Sequence, residues 1–580
     1  MPLPKPRFLF KKSAPPPAAP PVPGATQAVV IVPGVIESML LLEKGTERER
    51  PFYQEALSLL PRRVGGFLAG AAQAVVFRRY DRLRELAGDL ADAAFGALYR
   101  RPDGSSLHEL RPMIDGAAES SYGAVLAAGK WQGVGYGARM AMALAPRVGG
   151  DGVFVFCYDW RRGVVDVAED LRRFLAEVKA LTGGKELSLC GCSYGCQVIA
   201  QYLYAGGEKP ARIVFNAPAW QGTTLFRELQ QTDKSRFFFN APAAARVLTR
   251  FAGWELDLEP FARLLPQRLV NEFAYAMVRR SLGGGLLYCP GLWSCCAVGD
   301  YEEMKRTLLD PTQSAGLIAE TDAAHYGVMR HLPEILSQAR QAGVGLWVIM
   351  NDGTPLMAGR GRDGDGVIDA AAGSGGVCLP EGQTAKAGPG RRVSPTGRYD
   401  LTEAFLPDRT WVIRGQVHGQ SWWDDASCGL IADLLLTGRP ETVDSDPARP
   451  QFLETRCPAD GVSLRFPGGA SCLLDPAKGP VACVIRNDSP RKRVLALSVR
   501  VDGVPYRVSG ARGLLAPGQT LPVTLTPTGK AAEPRCGSVA IRYLKSDPLP
   551  LLHTRVIALR SVPRAEAAEK ERCKAAESVV

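Results

Sequence analysis

The sequence predicts an α/β fold with a mostly parallel sheet, followed by a smaller domain built only of β-strands. Short apolar runs alternate with amphipathic helical segments through most of the chain, which is typical of βαβ units. A glycine-rich serine motif stands between one of these runs and a helix. Past about Glu441, apolar and polar residues alternate between turn signals, as they do in antiparallel strands.

The elements follow in an order that fits this fold class. Ala28–Val32 ends at Pro33-Gly34 and is expected to be an early buried strand. Residues 152–157, 165–181 and 186–190 indicate a strand, a helix and a strand. Further strands of the sheet are predicted at 212–215, 344–350 and 410–413, with a helix at 427–436. Alternating strands at 462–466, 481–485, 495–501 and 539–543 indicate a sandwich-like β domain.

A chain of 580 residues exceeds what one hydrophobic core usually serves, so more than one domain is expected. We predict a large α/β domain at 26–440 with helical insertions at about 51–147 and 223–342. The second insertion is expected to cap the active site. A flexible Pro-rich tail at 1–25, the β domain at 448–562 and a charged tail at 563–580 complete the chain.

The net charge of +11 and the isoelectric point near 9.0 favour approach to anionic surfaces. No zinc-finger spacing or dense Arg/Lys stripe interleaved with aromatic residues is present, so nucleic acid is not a predicted partner. Val64–Phe77 is shorter than the roughly 20 residues of a membrane span, so no transmembrane helix is predicted. A buried helix and a helix at a lipid interface both stay open for this segment.

The first residues lack the apolar core of a secretory signal, so the chain is expected to be made in the cytoplasm. Export by a leaderless route and peripheral attachment to membranes stay open. The 14 cysteines are expected to be reduced, and they show no zinc-binding spacing. Neither a metal nor a cofactor is predicted.

The motif Gly191-Cys192-Ser193-Tyr194-Gly195 follows the run ELSLC and precedes an apolar helix start. Its glycines allow a strand to reverse sharply into a helix, which exposes the serine hydroxyl where backbone N–H groups face an oxyanion. The motif in this context predicts a nucleophile elbow of the kind found in α/β-hydrolases. The predicted fold class is therefore an α/β-hydrolase fold with helical cap insertions, plus a C-terminal all-β sandwich-like domain.

A serine nucleophile needs a base, and the chain has only 5 histidines. The fold places its triad in the order Ser, acid, His, with the histidine late in the hydrolase domain. His418 follows the predicted strand at 410–413 and precedes a helix, so it is the expected base. The others, which precede the serine or lie in the cap or the β domain, are His108, His325, His331 and His553.

The acid is expected after the strand at 344–350, and position alone does not choose among Asp352, Asp363, Asp365 and Asp369. Its task is to orient the imidazole and stabilise the imidazolium. The DGDGVID segment that contains three of them also suggests a calcium loop. That register leaves Gly361 and Ala372 at ligand positions, so calcium is disfavoured.

Several motifs follow one another in a recognisable order. They are VIVPG with Ser38, YDWR at 158–161, the elbow, NAPAWQG at 216–222 and GDGVI at 364–368. Together they resemble the lecithin:cholesterol acyltransferase and lysosomal phospholipase family of α/β-hydrolases over about residues 26–440. The resemblance implies that Asp365 is the acid and that His418 occupies the place of the catalytic histidine.

Two backbone N–H groups are expected to form the oxyanion hole. One belongs to Tyr194, directly after the nucleophile, and the other, by the resemblance, belongs to Val35. Trp220 and Phe238 are predicted to contact substrate, although the aromatic residues of the cap fit an acyl groove and a cap core equally well. Asp159 and Arg161 are expected to be an ion-paired support.

The predicted function is that of a serine lipase or phospholipase that forms an acyl-enzyme through Ser193, Asp365 and His418. A lipid O-acyltransferase with the same triad is the first alternative. An antibacterial lipase effector and a non-catalytic hydrolase-fold binding protein are the others. The expected partners are a lipid or membrane surface and, through the β domain, a protein.

Overall fold

A computed structural model describes most of the chain. The described residues are 26–55, 59, 66, 69–70, 72–74, 76–135, 137–251, 258–360, 363–379, 383–386, 388, 390–394, 397–422, 424–446, 449–454, 462–465, 473–474, 476–487, 494–502, 504–509, 513–516, 518–529, 535–545 and 552–561. The predicted tails at 1–25 and 563–580 lie outside them, as does much of Val64–Phe77.

The chain divides into two compact units. The first comprises Met1–Ser374, Asp408–Val412 and Gln416–Ser445. The second comprises Gly375–Pro407, Ile413–Gly415 and Asp446–Val580. The domain limits predicted from the sequence stay predictions.

The described strands up to residue 454 are β1 Gln27–Val32, β2 Leu40–Leu42, β3 Arg50–Pro51, β4 Leu110–Pro112, β5 Val153–Val155, β6 Glu186–Cys192, β7 Arg212–Asn216, β8 Gly345–Asp352, β9 Thr354–Pro355, β10 Asp363–Gly364, β11 Val377–Cys378, β12 Tyr399–Asp400, β13 Thr410–Arg414 and β14 Phe452–Glu454. The largest sheet has seven of these strands in the order β14-β13-β8-β7-β6-β1-β5.

Branched apolar residues explain why the centre of this sheet forms. Strand β1 has the sequence QAVVIV, and all of its residues except the first are buried. It pairs in parallel with β5 and β6, and the parallel ladder continues from β6 to β7 and from β7 to β8. Strands buried on both faces are rich in apolar residues, as the β1 sequence is. The predicted parallel sheet is confirmed.

The helices cross between these strands and fill the insertions. They are α1 Asp81–Phe95, α2 Gly116–Ser120, α3 Tyr122–Ala127, α4 Gly137–Val148, α5 Val164–Leu181, α6 Tyr194–Tyr204, α7 Leu225–Leu229, α8 Ala241–Phe251, α9 Glu259–Leu264, α10 Gln267–Gly284, α11 Pro290–Trp293, α12 Tyr301–Leu308, α13 Ala315–Asp322, α14 Leu332–Gln341, α15 Ala370–Ser374 and α16 Asp425–Thr437. Within the described residues, no helix combines the length and the apolar character that crossing a membrane requires.

The stretch at 51–147 contains helices and also part of a small sheet that the helical spacing did not predict. Strand β2 pairs with β3 and β4 in an antiparallel sheet of order β3-β2-β4. Each of these strands has two or three residues, which is too short for apolar alternation to show in a sequence.

The second unit contains the strands that the sequence predicted to be antiparallel. They are β15 Val462–Arg465, β16 Leu473–Leu474, β17 Val481–Asn487, β18 Val494–Asp502, β19 Tyr506–Ser509, β20 Gly513–Leu515, β21 Thr520–Pro527, β22 Arg535–Lys545 and β23 Leu552–Ser561. Two sheets result, of order β15-β17-β21-β19 and β16-β23-β22-β18-β20. Ile485 and Leu525 of the first sheet share one core with Leu497 and Val539 of the second. Two sheets around one core make a sandwich.

Candidate active site

Ser193 lies in a strained turn between strand β6 and helix α6. Its φ of 55° and ψ of −123° fall outside the regions that a residue with a Cβ ordinarily adopts. Two glycines permit this path, since a Cβ at Gly195 would lie 2.1 Å from the Val32 carbonyl oxygen and one at Gly191 would lie 2.8 Å from Ile199 Cδ1. The sharp strand-to-helix turn predicted from the motif is therefore present.

Asp365 and His418 are in direct contact. His418 Nδ1 lies 2.8 Å from Asp365 Oδ2, and the His418 backbone N–H donates to the Asp365 carbonyl at 2.8 Å. The other carboxylate oxygen accepts from the N–H groups of Val367 and Ile368 at 3.0 and 2.8 Å. The carboxylate is thus held by backbone donors on one side and holds the imidazole on the other.

The electrostatic balance at His418 favours a proton. Burial lowers the pKa of the imidazole, but the negative charge of Asp365 and the hydrogen bond to it raise that pKa, and the net result lies above the ordinary value. This is the direction expected for a base whose protonated form a carboxylate stabilises.

The remaining acidic candidates are placed differently. Asp369 accepts from the Thr224 backbone N–H and hydroxyl, both at 2.8 Å. Asp352 is buried at the end of β8, and the Asp363 side chain lies outside the described part of the chain. Among the described side chains, no three or more of His, Cys, Asp or Glu form a group that could hold a metal.

The other histidines have structural surroundings. His325 is buried, with Nε2 3.0 Å from the Trp293 carbonyl oxygen and its ring stacked on Tyr301. Burial lowers its pKa to about 4. His331 stacks on Tyr204. The side chain of His553 lies outside the described residues.

Asn216, at the end of β7, connects the elbow to the His418 loop. Its carbonyl oxygen accepts from the Ser193 N–H at 3.0 Å, and its side-chain oxygen accepts from the Ser421 hydroxyl. Ser421 also donates to Asn351 Oδ1 at 3.2 Å, and Asn351 Nδ2 donates to the Val417 carbonyl at 3.1 Å. No hydrogen bond links Ser193 to His418 directly within the described residues, so this network is what joins them.

The YDWR segment at 158–161 stabilises the turn after β1 through hydrogen bonds. The Tyr158 hydroxyl donates to the Pro33 carbonyl at 2.5 Å, and the Tyr158 N–H donates to Ser38 Oγ at 3.3 Å. Arg161 binds both carboxylate oxygens of Asp159, at 2.9 and 2.8 Å. The ion-paired support expected from the sequence is present beneath the turn that carries Val35.

Comparison with known proteins agrees with this architecture. A model of the alpha/beta hydrolase family matches residues 123–370, which include the elbow and Asp365. The large parallel sheet and its helices form an α/β-hydrolase domain. The predicted α/β-hydrolase fold is therefore confirmed. No curated protein matches the sequence.

Solved structures match at low similarity. The periplasmic chaperone SfaE is 10% identical, with 18% of this chain and 58% of that chain covered and a TM-score of 0.16. The E. coli chaperone DraB is 16% identical, with 18% and 56% covered and a TM-score of 0.16. This chain thus spans less than two thirds of those chaperones. The Tle4-Tli4 complex is 12% identical, with 72% of this chain and 98% of that chain covered and a TM-score of 0.26.

The two aromatic residues predicted to contact substrate occupy different positions in the α/β-hydrolase domain. Trp220 is 1% exposed, and its indole N–H donates to the Gly373 carbonyl at 2.6 Å while its ring packs on Phe215. Phe238 is half-buried, with Arg360 4.7 Å over its ring. Trp220 therefore packs in the core, and the substrate role of both residues stays a prediction.

Sequence reasoning missed one residue of this α/β-hydrolase site, Glu37. Its side chain is buried beside the elbow, and its Oε2 has no hydrogen-bond partner among the described residues. Burial raises its pKa to about 7, although the positive charge of His418 opposes that rise. The only sequence signal was its position two residues beyond Val35 in the predicted oxyanion turn.

Proposed function

We propose that this chain hydrolyses carboxylic esters of lipids through Ser193, Asp365 and His418. The observation that carries the proposal is the strained elbow at Ser193 together with the 2.8 Å contact between Asp365 and His418. A serine held in a strained backbone conformation, linked through Asn216, Ser421 and Asn351 to the loop of a carboxylate-oriented histidine, fits a nucleophile and its base.

In the proposed reaction, His418 Nε2 takes the proton of Ser193 Oγ while that oxygen bonds to the ester carbonyl carbon. The N–H groups of Val35 and Tyr194 stabilise the oxyanion. His418 then returns the proton to the leaving alcohol, which leaves an acyl-enzyme. Water releases the acid, and an acceptor alcohol would instead give a new ester.

Exposed apolar side chains of the cap support a lipid as the substrate. Leu248 on α8 and Leu264 on α9 are 55% and 77% exposed, and these two helices pack against each other. Helix α8 also borders the acid loop, since a Cβ at Gly366 would lie 2.4 Å from Val247 Cγ2. Apolar side chains on an exposed helix pair are typical of contact with a lipid or protein surface.

The motif order between VIVPG and His418 further favours a phospholipase similar to the lecithin:cholesterol acyltransferase and lysosomal phospholipase family. The resemblance bears on which lipid is the preferred substrate and does not alter the proposed triad. The same triad serves hydrolysis and acyl transfer, so the products formed with added alcohol decide between them.

The proposal is tested with a fluorophosphonate probe and with mixed phospholipid vesicles. Wild type is expected to label and to release fatty acid, whereas Ser193→Ala and His418→Ala do neither. His331→Ala, which changes an exposed histidine away from the triad, should behave as wild type. A wild type that stays silent toward probe and lipid, with detergent present to open the cap, would contradict the proposal and favour a binding protein.

A further inference from the structure

We propose that Glu37 is a positioning residue for His418, whose carboxylate stabilises the imidazolium that forms when Ser193 loses its proton. The inference rests on the proposed function and adds a second acidic group to the site. Glu37 is 5% exposed, and no ion pair of the described residues involves it. Among the described residues its Oε2 has no hydrogen-bond partner, while the carboxyl group also faces the Gly34 backbone and the Cys192 thiol. A buried carboxyl oxygen without a partner calls for an explanation, and a positive charge that forms nearby during the reaction supplies one.

The backbone holds the Glu37 side chain inward. Ile36 has a φ of 70°, a rare conformation for a β-branched residue, and its side chain is exposed. The Glu37 N–H lies 3.4 Å from the Gly34 carbonyl oxygen, which closes the turn. A Cβ at Gly135 would lie 2.2 Å from the Glu37 carbonyl oxygen, so only glycine fits there.

The Glu37 carboxyl group and Ser193 both lie next to the place that a side chain at residue 34 would occupy. A Cβ at Gly34 would lie 2.8 Å from Ser193 Cβ and 3.3 Å from Glu37 Oε1. Because Gly34 has no side chain, no Gly34 atom fills the space between the Glu37 carboxyl group and Ser193. Glu37 is therefore at the reacting end of the site and not in the distant core.

The charges of Glu37 and His418 act on each other. Burial raises the pKa of Glu37 to about 7, and the positive charge of His418 lowers it. In return, Glu37 adds to Asp365 in raising the pKa of His418 against the effect of burial. Burial also raises the pKa values of Cys192 and Tyr158 well above their ordinary values, so these neighbours stay neutral near pH 7.

During catalysis this coupling favours the transition state. The Ser193 O–H bond breaks, its proton moves to His418 Nε2, and Oγ bonds to the carbonyl carbon as the π electrons move to the carbonyl oxygen. Glu37 exchanges no atom in this step. Glu37 in its ionised form keeps its negative charge through this step, and that charge stabilises the imidazolium as His418 becomes positive in this buried site.

The test is Glu37→Gln, which keeps the shape of the side chain and removes its charge. The plateau of kcat/KM for ester hydrolysis is expected to fall about tenfold, the factor that corresponds to one pKa unit, through kcat with KM unchanged. The acid limb of the pH profile should move to lower pH, because Glu37 no longer raises the pKa of His418. Glu37→Asp, which keeps the charge, should leave the limb near its wild-type position.

Glu272→Gln provides a matched control, since Glu272 is a buried glutamate of α10 that pairs with Arg84 and Lys234. Glu272→Gln is expected to leave the acid limb of the pH profile at its wild-type position. Melting temperatures show whether each variant folds. An NMR titration of His418 in Ser193→Ala, with and without Glu37→Gln, measures the same pKa change without turnover. With only 5 histidines in the chain, His418→Ala assigns the signal.

An active wild type whose plateau and acid limb are unchanged by Glu37→Gln would overturn the role of Glu37 alone. A lower plateau with an unmoved limb and an unmoved His418 titration would also overturn it, because that result indicates a packing role. A wild type without labelling or hydrolysis would instead refute the proposed function, and the role of Glu37 with it.

Discussion

His418 and His325 are both buried, yet their neighbours give them opposite properties. Asp365 contacts His418 at 2.8 Å and raises its pKa against the effect of burial. His325 faces a carbonyl oxygen and a tyrosine ring, so burial dominates and lowers its pKa to about 4. A charged partner, and not burial, distinguishes the proposed base from a structural histidine.

Asp365→Asn tests the role of the acid. The amide cannot stabilise the imidazolium and favours the wrong tautomer of His418, so kcat is expected to fall by about 10⁴. Phosphonate labelling and fatty acid release measure the effect. Asp233→Asn, in an exposed turn, serves as the control, and wild-type activity in Asp365→Asn would exclude Asp365 as the acid.

His325 makes stability depend on pH. Its folded pKa of about 4 lies below the ordinary 6.5, so the unfolded chain binds the proton more tightly. The stability contributed by the neutral imidazole is present above pH 6.5 and is lost as the pH falls toward 4, by about 3 kcal/mol.

Thermal unfolding between pH 7 and pH 4 measures this loss in wild type and in His325→Phe, which keeps a ring against Tyr301. Because phenylalanine takes up no proton, the variant should lose less stability over this range. Equal losses in the two proteins would show that His325 does not titrate in this way.

At the scale of elements, the site depends on how closely β1, β6 and α6 approach one another. The Gly195 position lies against the carbonyl oxygens of Val32 and Pro33, at the end of β1. A side chain at position 195 would clash with these oxygens. Only glycine therefore lets the start of α6 pack directly against the oxyanion turn.

Gly195→Ala should separate these elements and displace Ser193, with loss of phosphonate labelling and a lower melting temperature. Gly88→Ala is the matched control, because Gly88 lies inside α1 and the nearest atom to an added Cβ, Arg280 Cγ, is 3.9 Å away. It should stabilise the protein by about 0.5–1 kcal/mol, as an alanine does within a helix. A labelled, stable Gly195→Ala would contradict the packing argument.

At the scale of the whole molecule, the net charge of +11 favours approach to an anionic surface, and the exposed Leu248 and Leu264 favour apolar contact with the lipid proposed as substrate. Salt screens the electrostatic attraction between the protein and an anionic surface, whereas apolar contact does not weaken as the salt concentration rises. Vesicle binding can therefore separate the two contributions.

Binding to vesicles with anionic lipid should weaken severalfold as salt rises from about 0.05 to about 0.5 M, because the Debye length shortens over this range. Vesicles of neutral phosphatidylcholine are the control and should show little dependence on salt. Cosedimentation measures the bound fraction. Equal binding to both vesicle types at low salt would show that net charge does not direct the protein to the surface.

Much of the architecture could be predicted from the sequence because its signals are local. Buried parallel strands such as β1 are continuously apolar, and the glycines around Ser193 indicate a sharp turn before a helix. The antiparallel strands of the second unit alternate every second residue for the same local reason. The small sheet of β2, β3 and β4 was missed since its strands are too short to show a period.

Contacts between distant residues were decided by the tertiary structure. The order of apolar runs and the glycine-rich serine motif determined the fold class, and the motif and the position in the chain confined the candidate nucleophile and base to Ser193 and His418. Position left four aspartates open, the resemblance pointed to Asp365, and folding brings Asp365 against a histidine 53 residues away. The position of Glu37 near Val35 did not by itself indicate a role, because its carboxyl group becomes buried only when folding places it beside Cys192 of β6 and His418 and removes the water that would otherwise solvate its charge.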